Sequence, residues 1–181
     1  ERIGLQGVPI VALIGLLVGG IIAQQAAFYF TEFGADVFVV DMVGLLTLRE
    51  MGILLTAIMV AGRSGSAFTA EIGAMKMREE IDALKVIGVD PEEVLILPRL
   101  IAMLIALPLL AFVADIFALA GGAIVAYIYI DMPVATFIAR LRDVVGLNTF
   151  FVGLAKAPFM AVMIAIIAVV EGLKVKGSTE S

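Results

Sequence analysis

Long apolar stretches alternate with short polar segments along this chain. A helix needs about 20 apolar residues to cross a bilayer, and residues Val8–Phe30 meet that length. The polar turn Thr31–Asp36 separates them from a second apolar stretch, Val37–Gly62. The pattern therefore predicts two transmembrane helices, at about 8–30 and 37–62. Within the first, Gly15 and Gly19 form a GxxxG pattern that favours close approach of a neighbouring helix.

The third apolar stretch, Val94–Ile130, is longer than one straight crossing requires and contains Pro108 and Asp115. We predict one long tilted helix with a kink near Pro108, because proline lacks a backbone donor and bends helices. A hairpin of two short helices is the alternative. Residues 131–148 are amphipathic, which is typical of a helix lying at an interface. A fourth crossing, predicted at about 149–171, includes Lys156 and Pro158.

Between the second and third crossings lies a charged segment, Gly62–Arg99, with 12 of the chain's 29 charged side chains. The helical spacing of Met77, Ile81, Leu84 and Gly88 predicts a short amphipathic helix within it. Gly88 suits the left-handed position that ends such a helix.

A second helix is expected to begin at Asp90-Pro91, since Asp is a good N-cap and proline fits the first helical turn. The region at about 63–93 is thus predicted to hold two helical pieces joined by a fixed turn. The small residues of Gly62-Arg63-Ser64-Gly65-Ser66 indicate tight packing at a helix-to-loop transition.

The distribution of Lys and Arg predicts the orientation. Only Arg140 and Arg142 fall on the side of the amphipathic segment at 131–148. Eight basic residues fall on the other side: Arg2, Arg63, Lys76, Arg78, Lys85, Arg99, Lys174 and Lys176. The charged segment is therefore predicted to be cytoplasmic. A hairpin in the third stretch would add a crossing and would no longer place these basic residues on one side.

Composition supports a single all-α membrane domain. Hydrophobic residues make up 62% of the 181 positions, with a mean hydropathy of +1.15, far above soluble domains. Cysteine and histidine are absent, which excludes Ser-His-Asp and Cys-His catalysis and Cys- or His-ligated metal sites. The net charge of −5 argues against nucleic-acid binding. Residues Gly172–Thr179 have Ser178 where a P-loop requires lysine, so no nucleotide site is expected.

The charged segment is acidic, with seven acids against three bases from Glu71 to Glu93. Helices that lie on a membrane surface usually carry a basic polar face. We therefore predict a protein partner for this segment, although a helical connection resting on the headgroups is the alternative.

Ionisable residues inside a bilayer usually face a cavity or a partner. Glu50 and Lys156 are candidates to line a lipid path, or alternatively to form an ion pair that fixes helix packing; Arg49 pairs with Glu50 inside the second crossing. Gln25 is a candidate headgroup contact and Tyr29 a candidate for the tail path, with ordinary helix packing as the alternative. Asp115 is assigned to packing or local hydrogen bonding. We propose no catalytic residue and no metal ligand.

The stretch TLREMGILLTAIMVAGRSGSAFTAEIGAMKMREEIDALKVIGVDPEEVLILPR, from Thr47 to Arg99, resembles the MlaE/YrbE permease family. Two later stretches, ADIFALAGG (Ala114–Gly122) and GLAKAPFM (Gly153–Met160), also resemble it. The resemblance implies the MlaE-like permease fold, with an elbow helix before the first crossing and another transmembrane helix after the tail, both expected to be missing here.

The resemblance also implies a function and a set of partners. The family members are integral permeases of ABC-type lipid transporters in the bacterial inner membrane. They move glycerophospholipids between that membrane and an MCE-protein or periplasmic carrier, and so maintain outer-membrane asymmetry. The expected partners are a second copy of the chain, a cytoplasmic ABC ATPase (MlaF-like) that binds ATP-Mg, and an MCE-domain ring (MlaD-like); a STAS-domain subunit (MlaB-like) is compatible with it. No cofactor is expected in the chain itself.

By the same resemblance the charged segment is the coupling helix that docks on the ATPase. Its expected contact residues are Glu71, Arg78, Glu79, Glu80, Asp82 and Lys85. Two other functions stay open on the residues alone. One is an ion-coupled secondary transporter or channel, and the other is a membrane scaffold that recruits partners without transport.

Overall fold

The computed structural model describes residues 7–175, which form helices and turns without a strand. Four segments in this range are long and apolar enough to cross a membrane, and they confirm the all-α membrane fold. The helices are α1 (Val8–Thr31), α2 (Val37–Met77), α3 (Glu80–Val86), α4 (Glu92–Ile130), α5 (Val134–Val144), α6 (Leu147–Leu154) and α7 (Ala157–Leu173).

Helices α1 and α4 pack backbone against backbone. A Cβ atom at Gly15 would lie 2.7 Å from the carbonyl oxygen of Ala114, and one at Gly19 would clash with the carbonyl of Ala118. From the other side, a Cβ at Gly121 would clash with the carbonyl of Leu16. The helix contact predicted from the GxxxG pattern is therefore confirmed, and small residues on both helices create it.

Helix α2 continues well past its predicted end at Gly62. It runs for 41 residues, about 60 Å at 1.5 Å per residue, so it extends beyond a hydrocarbon core about 30 Å thick. The predicted helix-to-loop transition is wrong because Ala61–Gly65 forms a π-helical turn inside the helix. Such a turn accommodates one extra residue without ending the helix. The charged residues after this turn do not require the helix to end, since a helix of this length extends beyond the apolar layer of the membrane.

The short helix predicted from Met77 to Gly88 is also wrong in its first turn. Helix α2 ends at Met77, and Glu79 adopts a left-handed conformation with φ of 58° before α3 begins. Ile81 is the buried residue of α3. The predicted end is correct: Gly88 has φ of 80°.

Helix α4 begins where Asp90 predicts, and it is a single helix. The Asp90 Oδ1 accepts a hydrogen bond from the Glu92 amide at 2.9 Å, and the helix continues through Pro108 to Ile130. The hairpin alternative for this stretch is therefore excluded.

Helix α5, from the amphipathic segment, packs its apolar side onto the helix bundle. Phe137 is 2% exposed and belongs to a cluster with Val39, Val40 and Ala126. This helix covers the end of the bundle opposite the charged segment, which we call the far end.

The fourth crossing, predicted at about 149–171, is found at Leu147–Leu173, and a turn inside it separates two helices. A turn at Ala155 and Lys156 separates α6 from α7, and Pro158 lies in the first turn of α7. Proline lacks the amide hydrogen that a continuous helix would need at this point, but it fits a helix start.

Candidate functional site

Two helix irregularities face each other inside the bundle. Thr47–Met51 forms a π-helical turn within α2, and it lies against the interruption between α6 and α7. A Cβ atom at Gly153 would clash with the carbonyl of Leu48, so the two backbones are in direct contact. Interrupted helices in transporters expose backbone groups where substrates and ions bind, which makes this contact the first candidate site.

Lys156 joins the two irregular segments. Its Nζ lies 2.7 Å from the Oε2 of Glu50 and donates to the backbone carbonyl of Arg49 at 3.1 Å. The Nε of Arg49 lies 3.7 Å from the Oε1 of Glu50. The structure therefore brings Glu50 and Lys156 together as the ion pair that the sequence offered as one of two interpretations, and it confirms the contact between Arg49 and Glu50.

This charged triad is open rather than sealed. The side chains of Arg49, Glu50 and Lys156 are 60%, 40% and 37% exposed. With all three ionised, the triad carries one excess positive charge. Charges in a transmembrane segment are costly unless they face water, a partner or a ligand, so the open side of the triad is suited to an anionic group.

A second candidate lies between α1 and α4. An open groove of about 620 Å³ there is lined by Gln24, Gln25, Phe28 and Tyr129, among others. The Nε2 of Gln24 donates to the hydroxyl of Tyr129 at 3.1 Å. Gln25 lines this groove, while Tyr29 is 61% exposed and packs edge-on against Phe28.

Gln24, Tyr129 and Asp41 were missed by the sequence reasoning. Gln24 stands beside Gln25 in an otherwise apolar stretch, a signal that could have been used. Asp41 was overlooked as a lone acid near the start of the second crossing. It accepts two hydrogen bonds from Arg140.

The predicted coupling residues divide into two groups. Glu71 lies on α2 and forms an ion pair with Arg99 of α4, so its carboxylate is already engaged within the chain. The other five belong to the tip, which we define as residues 78–91. There Arg78 pairs with Glu80 at 3.6 Å and Lys85 with Asp82 at 3.3 Å.

The tip also exposes apolar side chains: Val86 and Ile87 are 87% and 70% exposed. A mixed surface of exposed aliphatic side chains and paired charges fits a protein partner better than water alone.

Asp115 lies in the packing between α2 and α4, beside Gly52, which directly follows the π-helical turn of the first candidate site. It is 6% exposed, and its Oδ1 atom has no hydrogen-bond partner within the described part of the chain. Its carboxyl group fills the space beside Gly52, which agrees with the packing interpretation. Residues 7–175 contain no group of three or more acids that could hold a metal ion.

The model of the family described as Permease MlaE matches residues 1–181. The chain belongs to this family. Among its relatives, a probable ABC transporter permease protein of Rickettsia conorii is 33% identical over 170 residues, which cover 94% of this chain and 66% of the relative. The intermembrane phospholipid transport system permease protein MlaE of Haemophilus influenzae is 33% identical over 171 residues, with the same coverage.

A third relative is a probable ABC transporter permease protein of Synechocystis, 32% identical over 180 residues, which cover 99% of this chain and 68% of the relative. The chain thus spans about two thirds of the length of the relatives that it matches.

Proposed function

We propose that this chain is the transmembrane permease part of an ABC-type transporter for glycerophospholipids. Family membership and the names of the Rickettsia and Haemophilus relatives support the permease role, and the Haemophilus name supports a phospholipid substrate. The protein moves lipid between the bacterial inner membrane and an MCE-protein or periplasmic carrier, which maintains the lipid asymmetry of the outer membrane.

The open triad of Arg49, Glu50 and Lys156 is the observation that carries this proposal. A phosphodiester bears one negative charge, which matches the excess positive charge of the triad. A phosphate oxygen can replace the Glu50 carboxylate as the acceptor for the Lys156 ammonium, because both are anionic oxygen acceptors at similar donor distances. Binding then exchanges an internal ion pair for a lipid contact without leaving a charge unpaired in the membrane.

The groove between α1 and α4 provides the second part of the lipid path. The Gln25 amide offers donors and an acceptor for a headgroup, while Phe28 provides apolar surface on the same helix. Tyr29, exposed on α1, contributes to the surface that the acyl tails follow.

The energy comes from a partner subunit. We propose that the tip docks on a cytoplasmic ABC ATPase that binds ATP-Mg, with Arg78, Glu79, Glu80, Asp82 and Lys85 at the contact. We further propose a homodimer with an MCE-domain ring and, in some assemblies, a STAS-domain subunit.

Reconstitution of the full-length protein with its ATPase in proteoliposomes tests this function. Transfer of a fluorescent phosphatidylglycerol to acceptor vesicles is measured with ATP and with a non-hydrolysable analogue. Transfer that requires hydrolysis supports the proposal. Ion flux driven by a gradient without ATP would instead establish an ion-coupled transporter or channel, and partner binding without transfer or flux would establish a scaffold.

A further inference from the structure

Arg99 connects the two long helices at the end of the bundle where the charged segment lies. Its guanidinium forms an ion pair with Glu71 of α2, and its Cζ lies 4.6 Å from the centre of the Phe68 ring, also on α2. Phe68 is 3% exposed, so its position is fixed by the core. One side chain of α4 is thus held on α2 by a charge contact and by a cation–π contact.

Both helices run without interruption from this brace, formed by Glu71, Phe68 and Arg99, into the membrane domain. Glu71 and Glu50 are 21 positions apart on α2, which corresponds to about 32 Å along a helix. The π-helical turn at Ala61–Gly65 lies between them, and it widens the helix without ending it. Displacement of α2 at the brace therefore reaches the triad.

The tip, by contrast, is connected to the helices through two backbone reversals. Glu79, with φ of 58°, precedes α3, and Gly88, with φ of 80°, follows it. Ile81 of α3 is buried in the same core cluster as Phe68 and Ile72 of α2, so the tip rests on the helix that carries Glu71 and Phe68. Without the brace, movement of the tip would act on α2 through this packing, and no side-chain bridge from Arg99 would pass it on to α4.

We infer that Arg99 is a positioning residue for energy coupling: through Glu71 and Phe68 it makes α2 and α4 respond together when the tip is displaced. This inference rests on the proposed transport function. It also gives Glu71 a role in contacts within the permease in place of the predicted contact with the ATPase. Exposed ion pairs contribute little to stability, so a brace that is 27% exposed at Arg99 and 56% at Glu71 is poorly explained by stability alone.

The test measures ATP hydrolysis and lipid transfer in the same preparation of the full-length complex. Proteoliposomes with fluorescent phosphatidylglycerol serve for the wild type, Arg99→Ala, Glu71→Arg and the double variant Glu71→Arg/Arg99→Glu. For Arg99→Ala we expect hydrolysis to continue while transfer per ATP falls about tenfold, within the range usual for coupling between two sites. The double variant restores an ion pair of reversed polarity but leaves no cation over the Phe68 ring, so it should recover part of the lost coupling.

Arg142→Ala is the matched control, because Arg142 is an exposed arginine on α5 at the far end; it should leave transfer per ATP unchanged. Arg99→Lys keeps the charge but loses the planar contact with Phe68, and it should lie between wild type and Arg99→Ala.

Two results would overturn the inference while leaving the proposed function intact. In the first, the wild-type complex transfers lipid and the Arg99→Ala complex transfers the same amount of lipid per ATP hydrolysed. The other is a parallel loss of hydrolysis, transfer and melting temperature in Arg99→Ala that the double variant does not reverse. A wild-type complex that hydrolyses ATP without any lipid transfer would instead contradict the proposed function itself.

Discussion

Arg140 holds Asp41 through two parallel hydrogen bonds, with its Nε 2.8 Å from Oδ1 and its Nη2 2.7 Å from Oδ2. The hydrogen bond to Asp41 raises the pKa of the Arg140 guanidinium above its ordinary value, and the negative charge of Asp41 adds to this effect. Because Asp41 lies on α2 and Arg140 on α5, the pair fixes the amphipathic helix onto the far end of the bundle.

Loss of this pair should loosen α5. We expect Arg140→Ala to lower the melting temperature of the detergent-solubilised protein, since Asp41 would be left partly buried without its cation. Arg140→Lys should recover only part of the loss, because lysine cannot form the two-pronged contact. Circular dichroism during heating measures both. Arg142→Ala, an exposed change on the same helix, should leave the melting temperature near that of the wild type, and an equal loss in both alanine variants would contradict this role.

The sequence predicted the helices themselves well because their signal is local. About 20 consecutive apolar residues identify a crossing whatever its neighbours are, and Asp90 and Gly88 mark a helix start and a helix end through chemistry close to each residue. A close helix contact at Gly19 was also predictable, since small residues at a spacing of four favour close packing, but the identity of α4 as the partner came only from the structure.

The features that define the candidate site were harder to predict because they depend on distant partners. The π-helical turn at Thr47–Met51 does not change the pattern of apolar residues along the sequence. The role of Asp41 is visible only together with its partner Arg140, which lies 99 positions later. The turn at Lys156 had a local signal in Pro158, but the pattern of apolar residues predicts only that the segment crosses the membrane. The left-handed Glu79 was missed because glutamate seldom adopts that conformation.

The contact between Glu50 and Lys156 can be tested by exchanging its charges. Lys156→Met should reduce lipid transfer about 10- to 100-fold, because a hydrogen bond to a charged group contributes about 1.5–3 kcal/mol. In Glu50→Lys/Lys156→Glu the ion pair is rebuilt, so the melting temperature should return to near the wild-type value. Transfer should stay low, since the ammonium would no longer project from the interrupted helix.

Transfer and melting temperature are measured on the same purified complexes. Recovery of both in the charge-exchanged protein would show that the pair serves packing alone and would refute a phosphate-binding role for Lys156.

The packing of Asp115 against Gly52 predicts a second-site suppressor. A Cβ atom at Gly52 would clash with the Asp115 carboxyl group, and overpacking of this kind costs about 1–3 kcal/mol. Gly52→Ala should therefore lower stability, and Asp115→Ala in the same chain should restore part of it by freeing the space. Chemical denaturation of the two single variants and the double variant gives the coupling energy. Simple addition of the two single effects would show that the side chains do not meet.

Neighbouring glycines on α1 allow a controlled test of the contact with α4. Gly19→Ala would place a methyl group against the Ala118 carbonyl, which can move only if the helices separate. At Gly20 the nearest atom to an added methyl is Cγ2 of Val125 at 3.2 Å, a side-chain atom that can shift. Replacing glycine by alanine in a helix contributes up to about 1 kcal/mol of helix propensity in either case.

We therefore expect Gly20→Ala to be neutral or slightly stabilising and Gly19→Ala to be destabilising by about 1–3 kcal/mol. Denaturation in mild detergent, followed by circular dichroism, compares the two variants under identical conditions. Both variants add a methyl group to α1, so they differ only in the atom of α4 that the methyl group contacts. Equal stability of the two variants would contradict the backbone contact between α1 and α4, on which the groove beside Gln25 depends.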